Sequence, residues 1–157
     1  MDGIKYFFKE LYDYLPSSCE VTISGRSPEP EVIRLCESKS NVHLVANPDH
    51  ISDIIRQSDI YLCPTRLGGG LKLRVMDGLR LGIPVVTHSC SARGYDAFRD
   101  SGFFYEFSTP QEFGRAVEIL QEAYSRGEVE RERIRDEYLK VFSYEAGFQR
   151  LKQIVKT

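Results

Sequence analysis

The sequence has no tryptophan, only two methionines and three histidines, and four cysteines of which none pairs with another as C-x-x-C. Cys19, Cys36, Cys63 and Cys90 are too scattered for a zinc ribbon or a redox motif, and reduced thiols in a cytoplasmic setting are their simplest reading. His43, His50 and His88 are equally far apart, so no metal pair forms and no metal is expected. An excess of one charge is missing too. The 21 Lys and Arg stand against 23 Asp and Glu, a net charge of -2, which gives no argument for a nucleic-acid or membrane partner. Any positive site must be local. No apolar run approaches the ~20 residues that a spanning helix needs, and "MDGIKYFFKELYDYLP" reads as a helix rather than a signal peptide. Repeats and low-complexity linkers are lacking, and the length suits one domain over residues 1–157 with a single sizeable core.

What is present is an alternation. Short apolar and β-branched runs recur at 20–24, 41–46, 59–64, 83–88 and 102–107, each apolar on both faces as strands buried in a parallel sheet are. Between them lie segments with helical spacing at 29–39, 49–58, 71–82 and, more weakly patterned, 94–101. The expectation is an α/β fold with a parallel sheet of about five strands and right-handed crossovers. After the last strand, Thr109, Pro110 and Glu112 form the N-cap, first position and third position of a capping box, with Ile119 and Leu120 marking the apolar face of the helix that follows. Two more helical segments, "EVERERIRDEYLKVF" and "SYEAGFQRLKQIVK", are expected to pack across one end of the sheet, the charged run of the first facing water.

The stretch "YLCPTRLGGGLKLRVMDGLRLGIPVV" links the third and fourth strands through Gly68, Gly69 and Gly70. Ligands of open α/β sheets gather beyond the carboxyl ends of the strands, where helix amino termini offer unpaired N–H groups. Three glycines let the backbone turn freely and admit an anion without a Cβ in the way. With a helix starting near Leu71, Gly70, Arg74 and Asp77 share one flank, so that amides, a guanidinium and a carboxylate converge as a nucleoside diphosphate requires. An ordinary strand-to-helix connection, with Arg74 and Asp77 as a surface pair, remains open beside that reading. A P-loop does not fit, because Leu71 and Lys72 follow Gly70 where Lys and Ser or Thr are needed, and a dinucleotide fingerprint would need glycine in place of Leu73.

The same stretch resembles the signature of the carboxyl-terminal domain of family 4 glycosyltransferases of the GT-B fold, in a subgroup reading roughly P-x-R-x-G-G-G-x-[RK]-x-K-[IV]-[LM]-E-A-[ML]-A-x-G-x-P-V-V. "ISGRSPEPEVIRL" is similar to that subgroup's Gly-Arg-x-Pro turn, and "NVHLVANPDHISDIIRQSDIYLCP" to its next strand, helix and strand; "SARGYDAF" stands at its later Gly-Tyr turn. The likeness covers about residues 3 to 123. It implies a Rossmann-like three-layer sandwich with carboxyl-terminal helices, which binds a nucleotide-activated sugar for retaining transfer to a saccharide or lipid-linked acceptor in polysaccharide biosynthesis. The donor is a substrate; no cofactor and no metal are required. By position, Gly68, Gly69, Gly70 and Leu71 would contact the diphosphate and sugar. Lys72 or Arg74 would neutralise phosphate charge as the leaving group departs. Asp77 would hold the ribose, and Gly25 and Arg26 would reach the phosphates or base, with "VANPD" bordering the base.

Some departures from the family pattern stand out. The usual Glu-Ala becomes Asp77-Gly78, which shortens the carboxylate and places a glycine in a helix at a cost of up to ~1 kcal/mol. Arg80 replaces a small residue. The resemblance also implies that an acceptor-binding domain and the first strand of the donor domain lie outside this sequence, and that the whole enzyme associates peripherally with a membrane. Without that strand the five others are expected to close in the order 2-1-3-4-5, the alternative being a gap filled by a partner. A non-catalytic nucleotide-binding or interaction module is the competing functional reading. His88 is expected as a hydrogen-bonded strand-end residue, and Ser89, Cys90 and Ser91 as lining of the cleft.

Overall fold

A computed structural model describes residues 2–155. The strands are β1 (Val21–Gly25), β2 (Val42–Ala46), β3 (Tyr61–Cys63), β4 (Val85–His88) and β5 (Phe104–Phe107). The helices are α1 (Asp2–Tyr6), α2 (Pro30–Glu37), α3 (Ile51–Arg56), α4 (Leu73–Arg80), α5 (Pro110–Ser125), α6 (Arg131–Phe142) and α7 (Tyr144–Val155). α1 continues through a wide π-helical turn, Phe7–Leu11, and a tight 3-10 turn, Tyr12–Tyr14. Each apolar run of the sequence is thus a strand. The weakly patterned segment 94–101 holds only a 3-10 turn, Asp96–Phe98.

All strand pairings are parallel, with Val21 opposite Val42, Tyr61 opposite Val85 and Val85 opposite Phe104. The neighbours 2-1 and 3-4-5 occur as expected, but no ladder joins β1 to β3, so the five strands form two sheets rather than one. β3 has only three residues to offer such a ladder, and the two sheets meet through side chains instead. Val21 and Val42 of the first sheet share one apolar cluster with Val86 and Phe107 of the second and with Phe7, Leu11, Phe113 and Leu120. Both sheets also point the same way. Near the carboxyl end of α5, Gln121 reaches Ser18 and Cys19 just before β1, while the Tyr124 hydroxyl donates to the Asp59 carbonyl just before β3 at 2.6 Å.

β4 is buried from end to end, as a central strand covered on both faces must be. Val86 faces the cluster described above, while Val85 faces a second one with Val75 and Leu79 of α4, Tyr95, Phe98, Phe104, and Ile134 and Tyr138 of α6. The capping box at α5 is present, the Thr109 hydroxyl accepting from the Glu112 N–H at 3.2 Å and the Glu112 carboxylate accepting from the Thr109 N–H at 3.1 Å. The buried side chains of that helix, Phe113, Ala116, Val117 and Leu120, form an i, i+3, i+4, i+7 stripe, with Gly114 buried beside it. Ile119 falls beside the stripe and is exposed, contrary to the expectation. α6 packs on the second cluster as expected, whereas α7 buries no residue and lies beside α6, with Tyr144, Leu151, Ile154 and Val155 exposed. All four cysteines are free thiols, and burial pushes those of Cys19 and Cys36 up. No described helix is long and apolar enough to cross a membrane.

Candidate functional site

Because all strands run in one direction, Gly25, Ala46, Pro64 and His88 bring four loops to one edge of the molecule. The longest of these, residues 64 to 72, carries the glycines. Gly68 and Gly70 have φ of 93° and 74°, backbone that L side chains rarely adopt, and a Cβ on Gly69 or Gly70 would meet open space. The loop is thus shaped by glycine and uncovered on its outer side. Residues around it anchor it. The buried Ser91 hydroxyl donates to the Thr65 carbonyl at 2.6 Å, and the Arg66 guanidinium lies 3.9 Å from the centre of the Tyr6 ring. Tyr6 in turn meets the edge of His88. Burial pushes the Tyr6 phenol up, with the Arg66 charge opposing the shift.

α4 starts at Leu73, two residues later than the spacing suggested, so Gly70, Leu71 and Lys72 all belong to the loop. Lys72 is the N-cap, and its ammonium donates to the Leu67 carbonyl at 3.0 Å. That ammonium stands 2.5 Å from where a Gly68 Cβ would be, so the cation lies directly against the glycine turn. Arg74 and Asp77 sit one turn apart on α4, Arg74 exposed and Asp77 half-buried. They do not pair with each other. Asp77 instead meets the Arg80 guanidinium at 3.5 Å, and among the described residues Arg74 makes no ion pair. Gly78, the departure from the usual alanine, has a structural cause. A Cβ there would stand 2.8 Å from Val85 Cγ2 and 2.9 Å from Tyr61 Cβ, so α4 lies too close to the sheet for any side chain.

On the other sheet Gly25 closes β1, with its carbonyl accepting from the Asn47 N–H at 2.8 Å, and Arg26 follows it, exposed. Ser27 and Asn47 both adopt positive φ, 44° and 53°, and the Ser27 N–H donates to the Asn47 side-chain oxygen at 2.9 Å. The turns after β1 and β2 are thereby hooked together, which holds Arg26 and the "VANPD" segment at the same edge. His88 accepts the Cys90 N–H on Nδ1 at 3.1 Å, as expected of a strand-end histidine, and lies between the rings of Tyr6 and Phe107. Ser91 is spent on the Thr65 carbonyl, and the Ser89 hydroxyl pairs with that of Ser108.

The structure therefore brings Gly68, Gly69, Gly70, Leu71, Lys72 and Arg74 together around one loop, with Asp77 a turn further along α4. Gly25 and Arg26 belong to a separate turn at the same edge. The sequence reading assigns no role to Tyr6, Arg66 or Tyr95, whose hydroxyl donates to the Lys72 carbonyl at 2.6 Å. Arg66 and Tyr95 carried a usable signal, as the arginine of the P-x-R-x-G-G-G signature and the tyrosine of the Gly-Tyr turn in "SARGYDAF". Two concavities of about 340 and 300 Å³ lie elsewhere, around Phe103 and Arg133 before the start of β5. The glycine loop is open on its outer side at Gly69 and Gly70. Among the described residues no group of three or more His, Cys, Asp or Glu side chains is placed to hold a metal ion.

Comparisons with known proteins bear on the family and the fold of the chain. A comparison with curated proteins returned no match. Among solved structures, the chain is similar to that of the pneumococcal O-GlcNAc transferase GtfA in complex with UDP and GlcNAc, with a TM-score of 0.58 and 18% identity over 87% of this chain. The matched region is 29% of the transferase's own length, and at that identity the likeness shows the fold alone, that of a Rossmann-like GT-B domain. A family profile described as "Glycosyl transferases group 1" matches residues 1–122, which include all five strands, the glycine loop and α4. The chain belongs to the group 1 glycosyl transferases.

Proposed function

We propose that this chain is the donor-binding domain of a glycosyltransferase, holding a nucleoside-diphosphate sugar at the carboxyl ends of β1 to β4. The observation that carries the reading is the uncovered glycine loop before α4, with two cations, Lys72 and Arg74, within one helical turn of it. Support comes from the family and from a structural neighbour whose complex contains UDP and GlcNAc. In this reading the N–H groups of Gly68 to Leu71 and the helix amino terminus receive the diphosphate. Lys72 exchanges the Leu67 carbonyl for phosphate oxygen, and Arg74 swings over the loop to offset the charge that develops on the leaving diphosphate. Asp77 accepts the ribose hydroxyls once it leaves Arg80. Gly25 and Arg26 border the base or distal phosphate. Retaining hexosyl transfer without a metal, in the cytoplasm at a membrane surface, to a saccharide or lipid-linked acceptor held by a further domain, follows from the family resemblance.

A second reading has one observation in its favour. Both Lys72 and Asp77 are engaged by other groups of the protein, as they would be in a module that has lost its donor. Nucleotide titration separates the two. UDP, GDP and ADP, and their sugars, are added to the wild-type chain and to Arg74→Ala, and melting temperature is followed. The donor-domain reading expects one nucleotide series to raise Tm in the wild type, with affinity falling about tenfold in the variant, the usual scale for one charge-assisted phosphate contact. No stabilisation by any of the three at millimolar concentration would leave the non-catalytic module.

A further inference from the structure

The glycine loop is held from beneath by a residue that neither the motif nor the functional reading uses. Lys72, its last residue, is extended, with φ -86° and ψ 100°, and its carbonyl serves as the first acceptor of α4, taking the Val75 N–H at 3.0 Å. The same carbonyl accepts the Tyr95 hydroxyl at 2.6 Å. The Tyr95 ring is fully buried and stacks on Phe104, with Phe98 and Phe142 also against it. One residue earlier, Gly94 has φ 87°, and a Cβ on it would stand 2.7 Å from Leu71 Cδ1. Two consecutive residues after β4 therefore grip two consecutive residues of the loop, Gly94 by close approach to Leu71 and Tyr95 by a hydrogen bond to Lys72. Phenylalanine would fill the same aromatic space. The hydroxyl adds nothing to that packing and reaches out of it to the loop. Burial pushes the phenol up, against the opposing pull of the Met76 backbone, so it stays protonated and a donor near neutral pH.

We propose that Tyr95 is a positioning residue for the donor diphosphate, a latch whose hydroxyl fixes the Lys72 carbonyl and so sets the direction of the loop amides and the start of α4. The proposal rests on the reading of this loop as a diphosphate site, and it deepens that reading: loop geometry is fixed from the aromatic cluster that α6 covers, before a ligand arrives. A preorganised loop spares the ligand the entropy of ordering it.

The test uses Tyr95→Phe in the full chain, with Phe98→Leu as a variant that loosens the same cluster and leaves the hydroxyl in place. Amide hydrogen exchange of residues 66 to 76 is measured without ligand, and affinities are measured for UDP and for uridine, which lacks phosphates. Tyr95→Phe is expected to speed exchange in that segment selectively and to weaken UDP about three- to tenfold, the scale of one hydrogen bond, with uridine unchanged. Phe98→Leu is expected to lower Tm while keeping the ratio of UDP to uridine affinity. Unchanged exchange in the loop overturns the latch, and that arm needs no nucleotide. Equal weakening of UDP and uridine, or a UDP affinity that does not fall, overturns the positioning role. If Tyr95→Phe fails to fold, Gly94→Ala, which presses on Leu71 from the same side, must show the selective loss of UDP or the proposal fails. Absence of UDP, GDP and ADP binding in the wild type is a failure of the functional reading itself, visible before any variant is made.

Discussion

At the scale of single residues, Gly78 shows how a local rule and a packing contact can point in opposite directions. Helix propensity favours alanine there by up to ~1 kcal/mol, which made glycine look like a weakness in the motif. The contacts reverse the sign. A methyl group 2.8 Å from Val85 Cγ2 and 2.9 Å from Tyr61 Cβ must push α4 away from a strand that is buried throughout, and overpacking of that kind costs about 1–3 kcal/mol. Gly78→Ala is therefore expected to destabilise the chain by about 1–2 kcal/mol in denaturant unfolding, the steric cost exceeding the gain in propensity. A variant more stable than the wild type would mean that α4 has room to lift, and the close approach would lose its explanatory role. Asp77 follows the same logic at lower stakes. Its pairing with Arg80, a charge that the motif does not include, is visible only once the helix is built.

Elements were legible to differing depth, and the reason is how locally each is encoded. The start of α5 could be read to the residue because it is a chemical device: Thr109 and Glu112 accept from backbone N–H groups that have no intrahelical acceptor, and Pro110 has no N–H to satisfy. The Glu112 carboxyl accepts from the Ser108 and Thr109 N–H groups at 2.7 and 3.1 Å, and these bonds hold it below its ordinary range. A carboxyl depressed in the folded state contributes stability above its unfolded value of about 4.3, and that contribution is lost as pH falls through the folded value. Between pH 7 and 3 the wild type should thus lose Tm more steeply than Glu112→Gln, and the difference should be confined to the acid end. Parallel curves would show that the capping carboxylate contributes nothing that titrates. α4 starts two residues later than the spacing suggests, at a Lys72 carbonyl that accepts the Tyr95 hydroxyl, a contact from far along the chain that helical spacing does not encode. The apolar pattern of α7 suggested packing on the sheet, but amphipathicity states that a face is apolar and not what covers it.

At the scale of the whole molecule, the strands could be expected from short apolar runs and their neighbours 2-1 and 3-4-5 from the family resemblance, while the missing ladder between β1 and β3 could not. Pairing depends on how closely two backbones approach, and hydrophobic periodicity carries no record of that distance. What joins the sheets is the cluster that holds Val21 and Val42 on one side and Val86 and Phe107 on the other, closed by Phe7, Leu11 and α5. This arrangement makes a specific demand on unfolding. If the side-chain cluster couples the sheets, Val21→Ala in β1 and Val86→Ala in β4 should each lower the same transition, by about 2 kcal/mol for the loss of buried methyl groups. Exchange of the β4 amides should then rise with the global opening in both variants. The alternative is that β1 and β2 open alone, so that Val21→Ala speeds exchange in residues 21 to 46 and leaves β4 protected at the wild-type level. That outcome would make the edge carrying Gly25 and Arg26 a separately folding unit, and the two halves of the proposed donor site would no longer be held in one frame.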